Sequence, residues 1–323
     1  MDEFDLIARY FRPLAKNFPG SLNLTDDAAV MAVPAGHELV VTKDAISQGV
    51  HFIGDEDPAL IARKLLRVNL SDMAAMGAVP LCYFLALLLP SFVDEGWIKR
   101  FTEGLREDQA TFGIDLAGGD TSATQGTLSL SATVLGVVPT DKALRRSGAR
   151  AGDDIYVSGT LGDSALGLAL LQNKLDSCLR GNDELKHRYF IPQPRLALGQ
   201  KLIGIASACM DISDGLVQDL GHICEASSVG AVIHRETLPL SQAAAQCIWH
   251  DEKLWDAVLG GGDDYELLFT AAPEKHGAIG RLASELSLSL TKIGNMGDKR
   301  GVQVLDGQGH PLKIKYGGFR HFS

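Results

Sequence analysis

Apolar residues along this chain change their spacing repeatedly, and each change marks an element. Leu39 to Thr42 reads as a short strand. Asp57 and Pro58 follow as an N-cap and first helical position. Leu60, Ile61, Leu65, Val68 and Met76 then recur at roughly helical spacing. Tyr83 to Leu89 suits a buried strand, and Trp97, Phe101 and Leu105 mark one face of a second helix. Ile114 to Ala117 is a short strand that ends at Gly118-Gly119-Asp120. Thr127 to Val138 is a long strand with partial alternation at Leu128, Leu130, Ala132 and Val134. A polar, turn-rich stretch from Pro139 to Gly152 interrupts the pattern. Beyond it, Ile155 to Ser158 is a strand, Gly159 to Gly162 a turn, and Ser164 to Gln172 a helix. Leu175 to Tyr189 is polar and charged and reads as a surface connection, after which the alternation resumes and ends in short strands separated by glycine turns. The alternation predicts an α/β (α+β) fold, and the interruption predicts two domains, residues 1-140 and 150-323.

Composition narrows the function. A length of 323 residues fits two domains, and 46% apolar residues supply a sizeable core. The formal charge of -10 argues against broad nucleic-acid binding, which needs a basic face to neutralise phosphates. An acidic enzyme that handles phosphates needs metal ions. Cys82, Cys178, Cys209, Cys224 and Cys247 are odd in number and contain no CxxC pair, so thiols of a reducing cytoplasm are expected rather than disulfides or a zinc site. The start of the chain is acidic and shows no signal-peptide pattern. The longest apolar run, Val79 to Leu89, is too short to span a bilayer and ends at Pro90, so no membrane is expected.

Candidate chemistry lies in aspartates at the edges of apolar segments: Asp26-Asp27, Asp44, Asp72, Asp120, and Asp211 with Asp214 around Ser213. Gathered carboxylates raise each other's pKa unless a cation joins them. Mg²⁺ takes oxygen ligands and typically binds through one or two carboxylates plus substrate phosphates. Aspartates also commonly end strands and cap helices, and sequence alone does not show that these converge. No GxxxxGK[ST] loop and no GxGxxG after a strand is present. The turn Gly159 to Ser164 offers backbone N–H groups to an anion or is simply the capped start of a helix. Arg145-Arg146 offers cationic donors for a polyphosphate or is solvated. Gly260-Gly261-Gly262 allows close approach of a ligand or makes a tight turn.

Taken in order, these motifs resemble the thiamine-monophosphate kinases, in the superfamily that includes aminoimidazole ribonucleotide synthetase. The matching stretches are Asp26-Asp27-Ala28-Ala29, Gly49-Val50-His51-Phe52, Val68 to Gly77, Gly118-Gly119-Asp120-Thr121, Arg146-Ser147-Gly148, Asp211 to Leu216 and Gly261 to Leu267. The resemblance implies an N-terminal α/β domain that binds ATP and pairs in a homodimer, and a C-terminal α/β domain. It implies transfer of the γ-phosphoryl group of ATP to thiamine monophosphate, in line and assisted by several Mg²⁺ ions. Carried over by motif, Asp27, Thr42, Asp44, Asp72, Asp120, Asp211 and Asp214 would hold metal. Gly119, Asp120, Arg146 and Ser213 would contact ATP; His51, Asp263 and Tyr316 would face the thiamine substrate. Three positions depart from the family. Thr25 stands where Gly usually precedes the paired aspartates, and Asp263 replaces a usual Glu. Lys43 replaces a small hydroxyl residue, and its ammonium either repels a metal or meets a phosphate. A sister enzyme such as aminoimidazole ribonucleotide synthetase, or a non-catalytic nucleotide or metal sensor, is the alternative.

Overall fold

A computed structural model describes residues 3–175, 183–313 and 318. The chain divides into two compact units, Met1–Met73 with Ala78–Asp141, and Ala74–Gly77 with Lys142–Ser323.

The first unit is built on a four-stranded sheet of order β1-β4-β2-β3, with β1 His37–Ser47, β2 Val79–Leu89, β3 Asp115–Ala123 and β4 Ser129–Pro139. β4 lies antiparallel to β1 and β2, whereas β2 and β3 run parallel. A parallel pair needs a crossover connection, and a long helix, Glu95–Phe112, supplies it. The preceding helix, Pro58–Ala75, follows β1. The short N-terminal helix Glu3–Leu6 is α1, so these two are α2 (58–75) and α3 (95–112). Asp57 caps α2 as expected: its carboxylate accepts the Ala59 N–H at 3.0 Å. Met76, expected on this helix, instead lies in the turn beyond it, where Gly77 takes φ +70°.

The helices are joined by a buried charge cluster. Asp108 of α3 has no exposed surface and accepts from Arg67 Nε at 2.7 Å and Arg63 Nε at 3.1 Å, both on α2. Gly104 lets the helices touch, because a Cβ there would sit 2.3 Å from the Ala59 carbonyl oxygen. Leu65, Leu66, Leu70 and Met73 of α2 are fully buried, as are Phe101 and Leu105 of α3.

The second unit holds a six-stranded sheet of order β10-β7-β9-β5-β8-β6, antiparallel except for the pair β7/β10. Its strands are β5 Asp154–Ser158, β6 Ala208–Asp211, β7 Gly230–His234, β8 Leu267–Ala271, β9 Leu290–Gly297 and β10 Gly301–Leu305. The central strands β5 and β8 and the edge strand β6 are buried at every residue, which is why they read as continuous apolar runs. Their pleat nonetheless sorts side chains into two cores. Ile155, Val157, Met210 and Leu268 join one cluster with Leu216, Leu220 and Ile223 of the helix Leu216–Ser227. Tyr156, Cys209, Leu267 and Phe269 join the other with Leu198 and Leu202 of Leu196–Leu202 and Ile279 of His276–Leu286. Helices therefore cover both faces, an α/β sandwich.

Two elements depart from the sequence reading. The strand expected to end at Ala117 runs on through Gly118-Gly119-Asp120 to Ala123, because these residues pair with β2. Residues 183–190, expected within a surface connection, form a helix, Asp183–Phe190. Leu185 and Tyr189 are buried one turn apart, and Arg188 reaches the buried carboxylate of Glu266 at 2.8 Å. That partner is distant in sequence, so local polarity misleads.

Asp108 is the buried carboxylate to which both Arg63 and Arg67 donate, and the Arg67 side chain is only 4% exposed. Asp108→Ala is expected to cost about 3–5 kcal/mol, read as a lowered urea midpoint with an unchanged m-value.

Candidate active site

In the first unit, strand alternation sorts the candidate residues onto two faces of one sheet. Thr42 and Asp44 turn to the same side as buried Ile46, and the intervening Lys43 turns to the other. On the helix side, the Thr42 hydroxyl donates to Asp72 Oδ2 on α2. Asn69, one turn before Asp72 and fully buried, accepts the Asp44 N–H at 3.0 Å and donates to the Leu65 carbonyl at 2.9 Å. Two carboxylates and a hydroxyl are thus presented from two rigid elements, all half-buried. Hard oxygen donors of this kind suit Mg²⁺.

On the opposite face lies a cavity of about 630 Å³, within the usual range for small-molecule sites. Asp26, Asp27 and Asp120 line it together with Lys43, Gly118 and Gly119. Asp120 pairs in register with Ala86, Ala86 with Ser131, and Ser131 with Ala45, so these four share one face. Gly119 is required where it stands: a Cβ would lie 2.5 Å from the Leu85 carbonyl oxygen of β2. Phe84, Leu85 and Ala86 add an apolar wall. The carboxylates of the first unit therefore form two groups. His51 sits in the turn after β1, where its Nδ1 accepts the Ser47 N–H at 3.1 Å and so leaves Nε2 to carry the ring proton in the neutral form.

In the second unit two loops are joined by backbone hydrogen bonds. Asp263 N–H donates to the Ser213 carbonyl at 2.8 Å, Tyr265 N–H to Ile212 at 2.8 Å, and Ile212 N–H to Glu266 at 2.9 Å. Asp211, Ser213, Asp214 and Asp263 are brought together by this pairing. Two of the three glycines before Asp263 lie against backbone. A Cβ on Gly262 would stand 2.3 Å from the Ser213 carbonyl oxygen, and one on Gly261 2.2 Å from that of Ala257. The close approach that demands glycine is chain to chain. Asp263 and Tyr265 both take positive φ, +69° and +51°, and the Tyr265 hydroxyl donates to Asp263 Oδ1 at 3.1 Å. Such backbone strain gathers at functional sites.

Glu266, wholly buried, anchors the loop. It accepts from Arg188 Nη2 at 2.8 Å, Arg195 Nε at 2.6 Å and the Ser158 hydroxyl at 2.6 Å. The Gly159 turn has no N–H to spare for an anion at three of its positions. Gly159, Leu161 and Gly162 donate to Ser289, Pro239 and the Asp264 carboxylate. Arg146 is exposed on a segment whose carbonyl accepts from Ser227 Oγ at 3.2 Å. Tyr316 lies outside the described residues.

Sequence reasoning missed Asp219 and His222. Asp219 is buried and its Oδ2 accepts three N–H groups, from Ser213, Asp214 and Gly215, at 3.1, 3.1 and 3.0 Å. It fixes the loop that carries the two predicted aspartates. Ligand atoms of Asp214, Asp219 and His222 lie within 4.8 Å of one another, close enough to hold one ion. The available signal was the spacing of Asp219 and His222, which puts both on one side of a helix.

The chain is similar to known proteins over nearly its whole length. The family model for the N-terminal domain of AIR synthase related proteins matches residues 25–138, and that for the C-terminal domain matches residues 150–307. Thiamine-monophosphate kinase of Escherichia coli (strain K12) is 42% identical over 99% of this chain and 98% of its own length. Thiamine-monophosphate kinase from Stenotrophomonas maltophilia K279a has a similar structure, with a TM-score of 0.82 and 44% identity over 90% of this chain and 91% of that one. AaThiL, solved in complex with AMPPCP and TMP, gives a TM-score of 0.79 at 32% identity, covering 92% of this chain and 91% of that one.

Burial is the main cause that pushes the Asp264 carboxyl up to about 8, against the opposing pull of the Gly162 N–H and Arg188. The folded chain therefore keeps a proton that the unfolded chain releases near pH 4. Stability from this group is complete below about pH 4 and falls as pH rises through about 8. Asp264→Asn keeps an acceptor for Gly162 without the charge, and urea midpoints across this range are expected to decline less steeply than in the wild type.

Proposed function

The chain belongs to the thiamine-monophosphate kinases, built from AIR synthase related domains, and we propose that it transfers the γ-phosphoryl group of ATP to thiamine monophosphate. The products are thiamine diphosphate and ADP. The reading is supported above all by 42% identity over 99% of the chain to a kinase of this name. AaThiL, at 32% identity, binds an ATP analogue and TMP.

The acceptor is a phosphate monoester, an anion at neutral pH, so no general base is needed to prepare it. Donor and acceptor repel each other, and catalysis is alignment plus charge stabilisation in an in-line transfer. Several Mg²⁺ ions, when bound, would neutralise phosphate charge. Asp27, Thr42, Asp44, Asp72, Asp120, Asp211 and Asp214 would hold them. In this reading Gly119, Asp120, Arg146 and Ser213 contact ATP: the glycine admits the nucleotide to the cavity, and the arginine meets phosphate. His51, Asp263 and Tyr316 face thiamine monophosphate, and the Asp263 carboxylate suits a cationic thiazolium. Residues 1-140 act as the ATP- and metal-binding domain and residues 150-323 as the C-terminal domain.

A homodimer belongs to the same proposal. Leu39, Val41, Val79 and Leu88 are 42%, 56%, 47% and 45% exposed. By register they share the sheet face opposite Thr42 and Asp44. An apolar sheet face of this kind is suited to a second copy. Cytoplasmic residence is proposed on the buried thiols: burial pushes Cys82 and Cys224 up to about 11, which suits unreactive reduced cysteines. No helix of the described residues is long and apolar enough to cross a membrane.

Incubation with ATP, Mg²⁺ and thiamine monophosphate is expected to yield thiamine diphosphate, identified by mass, with equimolar ADP. ATP binding without turnover would instead favour a sister enzyme or a sensor. Asp72→Asn removes a charge but not the shape; it is expected to lower kcat by about 10²–10³ with an unchanged circular dichroism spectrum. Wild-type turnover of this variant at saturating Mg²⁺ would remove Asp72 from the metal ligands. Val41→Glu is expected to give monomers in sedimentation equilibrium where the wild type sediments as a dimer.

A further inference from the structure

Lys43 stands on the wall of the cavity that holds Asp26, Asp27 and Asp120. Strand alternation turns it away from Asp44 and Asp72, so its ammonium would not compete with a metal held by those two carboxylates. It occupies one end of a row that crosses the whole sheet: Lys43 pairs with Thr133, Thr133 with Phe84, and Phe84 with Gly118. Three strand spacings separate the ends, about 14 Å between backbones, so a flexible lysine and the Gly118-Gly119 backbone face one another across the cavity. The ammonium donates to the Thr133 hydroxyl at 3.3 Å. Among the described residues, no carboxylate comes within ion-pair distance of it. A cation held by a neutral hydroxyl, in a cavity whose other charged lining residues are carboxylates, is positioned for an incoming anion.

We propose that Lys43 binds a phosphate oxygen of the nucleoside triphosphate directly and gives nucleotide binding a component that needs no metal. The proposal rests on the kinase reading, in which ATP occupies this cavity, and names the residue that orients its polyphosphate. An acidic cavity repels a polyphosphate until cations intervene. Lys43 supplies one positive charge from the chain itself, at a strand position fixed by eleven residues of pairing with β4. The ammonium is a mobile point charge on a four-carbon stem, able to follow phosphate oxygens without bidentate geometry.

The test is calorimetric binding of ATP to the full-length protein in EDTA, at low and high salt, with adenosine as the control. Wild type is expected to bind ATP in EDTA, and Lys43→Met to weaken that binding by about tenfold. Lys43→Arg is expected to recover most of it, and adenosine affinity is expected to be equal in all three. Raised salt should narrow the difference between wild type and Lys43→Met. Equal ATP affinity in wild type and Lys43→Met would overturn the proposal, as would wild-type binding that vanishes in EDTA. A parallel loss of adenosine affinity would do the same, because it would mark general damage to the cavity. Thiamine diphosphate formation by the wild type, measured separately, distinguishes the two readings. Its absence would overturn the kinase assignment while the lysine contact stood or fell on the binding data.

Discussion

Burying the Glu266 carboxylate is the constraint around which the second unit is organised. A lone charge without solvent costs several kcal/mol, and here it is offset by Arg188, Arg195 and Ser158 converging from three separate segments. Gly159, at φ +60°, leaves the space: a Cβ there would meet Glu266 Oε1 at 2.2 Å. Once Glu266 is fixed, the residues just before it have little freedom. They run against the 211–215 loop through paired backbone hydrogen bonds, and Asp263 and Tyr265 are held in left-handed conformations. The strained, glycine-rich approach and the polar anchor are one device. Its output is a fixed position for Asp263 beside Ser213 and Asp214.

Asp219 completes the arrangement from the other side. Three backbone N–H groups converge on one carboxylate oxygen at the start of a helix, so the loop bearing Ser213 and Asp214 is ordered by the chain before any ligand arrives. Pre-ordering matters for a reaction that consists mostly of alignment, since the conformational cost is met on folding rather than on binding. The first unit reaches the same end by pleating. A strand turns alternate residues to opposite faces, so three consecutive positions, Thr42, Lys43 and Asp44, serve two different surroundings. Thr42 and Asp44 meet the polar side of α2, and Lys43 meets the cavity.

Much of this was legible beforehand, for reasons that are local. The strand and helix periods identified β1, α2, β2, α3, β4 and β5, because burial on one face imposes a period that survives in the sequence. Asp57 at the start of α2 was readable as a cap, since capping involves only neighbouring residues. Asp26-Asp27 and Asp120 stood out as candidates because carboxylates recur in order at segment edges, but Gly118-Gly119-Asp120 lies within β3 rather than in a turn after a strand. The helix over 183–190 was not readable, because Arg188 is stabilised by Glu266, 78 residues away. The role of Gly262, which lies against the Ser213 carbonyl, was hidden for the same reason.

By itself, then, the sequence determined most element types and the α/β class, which follow from residue identity and short-range spacing; the kinase family was legible as a resemblance, in the ordered set of motifs. Tertiary structure decided which of those residues meet. It joined Thr42 to Asp72, set Lys43 on the cavity side, closed the 260–266 loop onto the 211–215 loop, and took the Gly159 turn's N–H groups for internal use. Pairing register and burial are properties of contacts between distant segments, and a single sequence carries no local mark of them.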